Sequence, residues 1–273
     1  MRGRPLSSNS TIQTKLGTRM RSWMATARVI SRNLRQYKFE PEVAFLKDMI
    51  RSEDICLHVG ASDGRHSLIM ARLAERGHVY CFEPSSYSFE ILRRVLAFHR
   101  LGNVSCFHVA VMDCPGEVKL VVPVKTSGRL GHSFGHVTED GNEENTTSFP
   151  GVQAKDMIAE STQAITLDSF CERNGIEKID FLRCDVEGAE YKVLNGGKKI
   201  IDRDLPNALI EIHPHALEKN FNASKEAVFD FFLSRGYEAY CLKDGKPQRV
   251  DAVIDEPWRD YFFLHPSRGA RLS

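Results

Sequence analysis

The sequence predicts a doubly wound α/β fold, and three observations carry that reading. From Asp54 onward, short apolar runs alternate with longer segments of helical period, the pattern of a mostly parallel sheet with helices on both faces. The ends of those runs carry Gly, acid or His, where an open α/β sheet places its ligand. Composition agrees: 42% apolar and 27% charged residues in 273 exclude a largely disordered chain.

The chain begins with a basic leader. Residues 1–39 hold nine Lys or Arg and no acid, leaving 28 basic and 36 acidic side chains in residues 40–273, a net of −8. An acidic body argues against nucleic acid as a partner. Within the leader Leu16, Met20, Trp23, Ala27, Ile30 and Leu34 are spaced alternately by four and three, one face of a helix. Such a stripe docks on the domain, lies on an anionic membrane surface through residues 12–38, or belongs to a transit segment. No run approaches the ~18 apolar residues of a spanning helix. Seven cysteines without a C-x-x-C pair argue against a disulfide framework or zinc knuckle and for a reducing, cytoplasmic setting.

The body is then read as one domain, residues 40–273, with these elements in order. Ile55–Val59 is a strand ended by Gly60, and Ser67–Arg76 a helix. His78–Phe82 is the second strand, Ser86–Phe98 the second helix and Val104–Val109 the third strand. Gly116–Val122 alternates as an added edge ribbon. Residues 124–163 are rich in Gly, Ser, Thr, His and Glu without a clear period, and are read as an inserted loop or lid. His132 and His136 inside it are taken as solvated residues. Ile179–Cys184 and Ala208–Ile212 are further strands flanking a helix near Ala189–Asn195. Glu226–Leu233 is helical, and Tyr237–Leu242 with Tyr261–Leu264 forms a closing antiparallel pair.

The strand ends suggest the chemistry. The first is Gly60-Ala61-Ser62-Asp63-Gly64, where glycines admit a ligand to the backbone ahead of a helix N-terminus. The second, nineteen residues beyond Gly64, is Glu83-Pro84, where a carboxylate accepts from both hydroxyls of a ribose. The fourth is Asp185-Val186-Glu187-Gly188 and the fifth Glu211-Ile212-His213-Pro214-His215. A missing third glycine favours a ligand with one nucleoside over a dinucleotide, which argues against a nicotinamide oxidoreductase.

Taken together, Leu57–Gly64, Cys81-Phe82-Glu83-Pro84, Thr166–Phe170 and Ile179–Glu190, followed by Val193-Leu194-Asn195-Gly196, resemble the FkbM-type methyltransferases. The resemblance implies a seven-stranded, Rossmann-like class I sheet and S-adenosyl-L-methionine as cofactor. It implies that Gly60, Ala61 and Gly64 line the methionine part and Asp63 helps hold its amino group. Glu83 would take the ribose hydroxyls, Ala110 would lie along adenine, and Asp185 would face the sulfonium. Two positions depart from the family's pattern: His58 stands where an acid is usual, and Arg183 where Lys is usual.

The implied reaction is methyl transfer to a hydroxyl of a sugar, glycan or secondary metabolite. Such a hydroxyl is poorly acidic and needs a base in reach, for which Asp185, Glu187 and His213 are the candidates. A divalent cation on Asp185, Glu187 or Glu211 is a second route, but strand-end carboxylates often only cap the next helix, so no metal ligands are assigned. Asp168 and the strand cysteines Cys56, Cys81, Cys106 and Cys184 are read as structural. The alternatives are transfer to nitrogen, or a non-catalytic adaptor that lost the cofactor through His58 and docks by its basic helix.

Overall fold

A computed structural model describes residues 22–35, 40–125, 136–138, 154–256, 259–270 and 272. Its main sheet is the predicted one with an additional strand. β1 (Ile55–Val59), β2 (His78–Phe82) and β3 (Val104–Phe107) fill one half; β8 (Phe181–Cys184) and β9 (Asn207–Ile212) begin the other. β12 (Arg259–Leu264), β10 (Glu238–Lys243) and β11 (Lys246–Val250) close it. The order β11-β10-β12-β9-β8-β1-β2-β3 makes eight strands where the resemblance implies seven; the extra one is β11, hairpinned onto β10 through Asp244-Gly245. β12 runs antiparallel to β9 and β10, as the closing pair predicts.

Period-two alternation in the strands explains the two cores. Leu57 and Val59 of β1, Leu182 and Cys184 of β8, and Tyr261 and Phe263 of β12 face one side. There they pack with α5 (Leu167–Arg173), α6 (Glu190–Gly196), α7 (Lys198–Asp204) and α9 (Lys225–Leu233). Cys56, Phe181, Leu209 and Phe262 face the other, against α2 (Leu46–Met49), α3 (Arg65–Leu73) and α4 (Ser86–Phe98). By the same parity His58, Arg183, Glu211 and Asp260 share the second face, so a polar row crosses four neighbouring strands.

The chain leaves β1 toward β2 and β3, and later returns through β8 toward β9, so the topological switch point lies between β1 and β8. Gly60 fits there because its φ is +79° and a Cβ would stand 1.7 Å from the Asp185 carbonyl oxygen.

Several expectations are corrected. The ribbon near Gly116 is no edge of the main sheet. β5 (Gly116–Lys125) pairs antiparallel with β7 (Ala154–Ile165), and with β4 (Ala110–Val111) and β6 (His136–Thr138) forms a separate four-stranded sheet. The stretch read as an aperiodic insertion thus begins and ends in paired strands; backbone pairing across the β5–β7 ladder supplies order that its composition does not signal. His132 lies outside the described residues. Pro214 occupies the first turn of α8 (Pro214–Phe221), where its missing N–H costs nothing.

The leader is helical over residues 22–34 (α1), but its buried face is not the apolar stripe. Ser22, Thr26, Val29 and Asn33 are buried, with Val29 against Ile91 and Val95 of α4, while Trp23, Met24, Ala27 and Leu34 are exposed. Small side chains let the helices approach, and Arg94 of α4 lies 4.4 Å over the Trp23 ring while donating to Ser22 Oγ at 2.8 Å. Leu16 and Met20 lie outside the described residues. Among the described residues no helix is long and apolar enough to cross a membrane.

Candidate active site at the carboxyl ends of the strands

The loop after β1 turns back on itself through three positive φ angles, at Gly60, Ser62 and Gly64. Gly60 and Ala61 both donate to the Phe82 carbonyl at 3.0 Å, fastening the loop to the end of β2. Glu83 completes the tie. Its Oε2 accepts from the Ser62 N–H at 2.8 Å and its Oε1 from the Ser85 N–H at 2.9 Å. The carboxylate is 5% exposed, and burial pushes it up to about 7 against the two backbone donors. Each oxygen keeps a lone pair for a further donor, the geometry that a vicinal diol fits.

Asp63 is brought to the same loop but is already engaged. Both its oxygens accept from Arg65 Nε at 3.0 Å, and Oδ1 also accepts from the Arg65 N–H at 3.2 Å. Its charge is met by Arg65, so the expected hold on an amino group competes with an ion pair. Ala110 lies in β4, buried in a cluster with Met112, Leu120, Ala164, Ala189 and Phe221.

The two departures from the family pattern have local explanations. His58 is buried and its Nδ1 lies 2.8 Å from Ser67 Oγ. Burial, then the neighbouring His66 and Arg183, hold the imidazole well below its ordinary value, so it is neutral. Arg183, 3% exposed, spreads its fork over three acids: Nη1 donates to Asp260 Oδ1 at 2.5 Å, Nη2 to Asp185 Oδ2 at 3.3 Å and Glu211 Oε2 at 3.2 Å. A planar guanidinium reaches all three; a lysine ammonium is a single point.

On the far side of Asp185 and Glu211 stands His213. Its Nε2 is 3.8 Å from Asp185 Oδ1 and 3.4 Å from Glu211 Oε1, and its Nδ1 is 3.4 Å from Glu187 Oε2. Glu187 is itself at φ +54°, a conformation that costs a side-chain-bearing residue about 1 kcal/mol. Burial, reinforced by neighbouring carboxylates, pushes Glu187 and Glu211 up to about 8. Burial also tends to raise Asp185 and lower His213, but is outweighed in both. The imidazole and Arg183 hold Asp185 low, and the surrounding acids hold His213 above its ordinary value. Among the candidate bases, Asp185 is held low and Glu187 is pushed up, so Glu187 is the more basic of the two carboxylates.

Asp185 does not cap the helix that follows it. α6 begins at Glu190 with Ala189 before it, and Glu190 Oε1 instead accepts from the Gly188 N–H at 2.9 Å. Asp168 is structural as expected, but it caps α7, accepting from Lys199 N–H and Ile200 N–H, thirty-one and thirty-two residues on. His213 and His215 diverge: the second is exposed in a cleft with Glu218, Lys225 and Glu256. Asp260 was not anticipated. Its signal is an acid heading the apolar run Tyr261–Leu264, directly opposite Glu211 in register.

The chain is similar to known proteins over this region. It is 24% identical over 161 residues to "2-O-methyltransferase NoeI" of Sinorhizobium fredii, spanning 56% of this chain and 61% of that protein. It is 26% identical over 160 residues to "Methyltransferase sdnD" of Sordaria araneosa, spanning 53% and 61%. The chain thus spans about three fifths of the length of these relatives. A solved "Methyltransferase FkbM" from Methylobacillus flagellatus KT superposes with a TM-score of 0.48 at 12% identity, over 82% of this chain and 50% of that one. The family model of the Methyltransferase FkbM domain matches residues 58–239, which include the carboxyl ends of β1, β2, β8 and β9. The chain therefore belongs to the FkbM methyltransferase family.

Proposed function

We infer that the protein is an S-adenosyl-L-methionine-dependent O-methyltransferase acting on a hydroxyl of a sugar, glycan or secondary metabolite. The observation that carries this reading is Glu83: a buried carboxylate fastened to the glycine loop beside the switch point, with one lone pair left on each oxygen. The residues fit the cofactor. The Gly60–Gly64 loop receives the methionine end, Glu83 the ribose hydroxyls, and Asp185 lies where the sulfonium charge would stand. When bound, the cofactor supplies a methyl group whose carbon–sulfur bonding pair returns to sulfur as the new carbon–oxygen bond forms.

The protein's own part is then positional and protolytic. Arg183 fixes the outer oxygens of Asp185 and Glu211, and so the faces these carboxylates present to the acceptor. Glu187 takes the acceptor's proton, with His213 holding that carboxylate in place. The hydroxyl acceptor draws support from the curated relative named as a 2-O-methyltransferase. The adaptor reading loses its premise with a neutral His58, which places no charge against the cofactor's ammonium group.

Calorimetric titration with S-adenosylhomocysteine tests this reading. The full chain should bind one equivalent, and Glu83→Ala should lose binding while keeping its circular-dichroism spectrum. Transfer of radiolabelled methyl groups to hydroxylated acceptors then defines the substrate. A wild-type chain that does not bind at millimolar ligand would overturn the reading.

A further inference from the structure

We propose that Asp185, Glu211 and His213 form a binding site for one divalent first-row cation of the manganese-to-zinc range, facing the acceptor. The inference deepens the methyltransferase reading and rests on it for its role, though not for its geometry. One ligand atom from each of the three residues lies within 4.8 Å of the others.

Four features point to a cation rather than a plain ion-pair cluster. The first is spacing. His213 Nε2 stands 3.4 Å from Glu211 Oε1 and 3.8 Å from Asp185 Oδ1, longer than the about 2.7–3.2 Å of an ordinary N–H···O hydrogen bond. Ligand atoms at about 2.1 Å from a shared cation lie about 3.4 Å apart at the tetrahedral angle and about 3.8 Å apart at roughly 130°.

The second is His213 Nε2 itself, which is completely shielded from solvent and has no hydrogen-bond partner, although two carboxylates flank it. Buried ring nitrogens are ordinarily satisfied, and this one is aimed at the space between the two oxygens.

The third is the division of labour on each acid. Arg183 occupies Asp185 Oδ2 and Glu211 Oε2, and thereby turns Oδ1 and Oε1 inward together. Glu187 Oε2 at 3.4 Å from Nδ1 orients the ring from behind. Carboxylate and imidazole ligands steered by outer partners are the ordinary construction of a metal site.

The fourth is charge. Three acids, Asp185, Glu211 and Asp260, meet the one guanidinium of Arg183, and a divalent ion would add positive charge on the side of Asp185 and Glu211 that Arg183 leaves uncovered. The single imidazole nitrogen favours manganese, iron, cobalt or zinc over calcium and magnesium. Placed here, the cation would make the acceptor's hydroxyl more acidic, its proton passing to Glu187.

The test is an equilibrium titration of the full chain with manganese(II), read as free ion by electron paramagnetic resonance, with and without S-adenosylhomocysteine. Wild type should bind one equivalent. Glu211→Gln and His213→Gln should each weaken binding at least about tenfold, while Glu218→Gln, an acid of the neighbouring cleft, should not. Cobalt(II) should give a visible d–d spectrum that His213→Gln alters, a readout that needs no activity and no acceptor. Absence of saturable binding at millimolar manganese, or binding that both variants retain, would overturn the site. The homocysteine titration separates this from failure of the methyltransferase reading, because the cofactor site can fill without a cation.

Discussion

The Glu83 carboxylate and the Ser62 backbone N–H, 2.8 Å apart, join the end of β2 to the glycine loop after β1. Through this bond a residue that would grip the ribose also sets the shape of the loop that would hold the methionine. The two halves of the proposed cofactor site are therefore one mechanical unit.

The first prediction concerns pH. Burial pushes Glu83 up to about 7, and a diol that donates to both oxygens favours the ionised form. Affinity for S-adenosylhomocysteine should be flat above neutrality. Below it the dissociation constant should rise about tenfold per pH unit, until the bound form itself titrates. Calorimetry between pH 5.5 and 8.5 checks this, and a flat profile throughout would remove Glu83 from the ribose.

Gly60 gives a prediction about stability. A Cβ there meets the Asp185 carbonyl at 1.7 Å with φ at +79°, so Gly60→Ala should cost more than about 4 kcal/mol or prevent folding. Gly175 has φ +63° and nothing within 4 Å of an added methyl group, so Gly175→Ala should cost only about 1–2 kcal/mol. Urea unfolding of the pair separates steric conflict from conformational strain.

Arg183 should be much less replaceable than a surface arginine. Its guanidinium is 3% exposed and meets Asp260, Asp185 and Glu211, so Arg183→Met should destabilise the fold by about 3–5 kcal/mol. Arg183→Lys should recover only part of this, because one ammonium cannot reach three carboxylates. Chemical denaturation with near-ultraviolet dichroism is the measurement. Equal stability of the lysine variant would show that charge alone matters.

His58 is buried, neutral and bonded to Ser67, with its pKa held below the ordinary 6.5. Its folded value is depressed, so the unfolded chain binds the extra proton. Stability is therefore full above pH about 6.5 and is lost as pH falls toward the folded value. His58→Gln should flatten this acid slope and keep S-adenosylhomocysteine affinity within a few-fold of wild type. An undiminished slope in the variant would assign the acid sensitivity elsewhere.

Much of this was legible in the sequence, because its signals are local. Strand and helix alternate with periods of two and 3.6, so the second helix is read at its observed bounds, Ser86–Phe98, and β1 and β2 likewise. Parallel strands place ligands at their carboxyl ends, and that rule picks out the glycine loop, Glu83 and Asp185 from order along the chain alone. Partners that depend on distant register were not legible. Asp260 reaches Arg183 only because β12 pairs with β9, and Asp168 caps a helix thirty-one residues away only because α5 and α7 pack together.

The leader shows the same division. Its spacing determines a helix, but periodicity ranks faces by hydrophobicity, whereas docking ranks them by fit. The face that fits α4 is the small one of Ser22, Thr26 and Val29, with Trp23 and Leu34 left in solvent. Sequence by itself thus determined the strands β1–β3, β8–β10 and β12 of the main sheet, their order along the chain and the acids at the strand ends. Tertiary structure alone decided which oxygens Arg183 occupies and which remain turned toward His213, because those choices follow from the meeting of three strands whose residues lie up to seventy-seven positions apart.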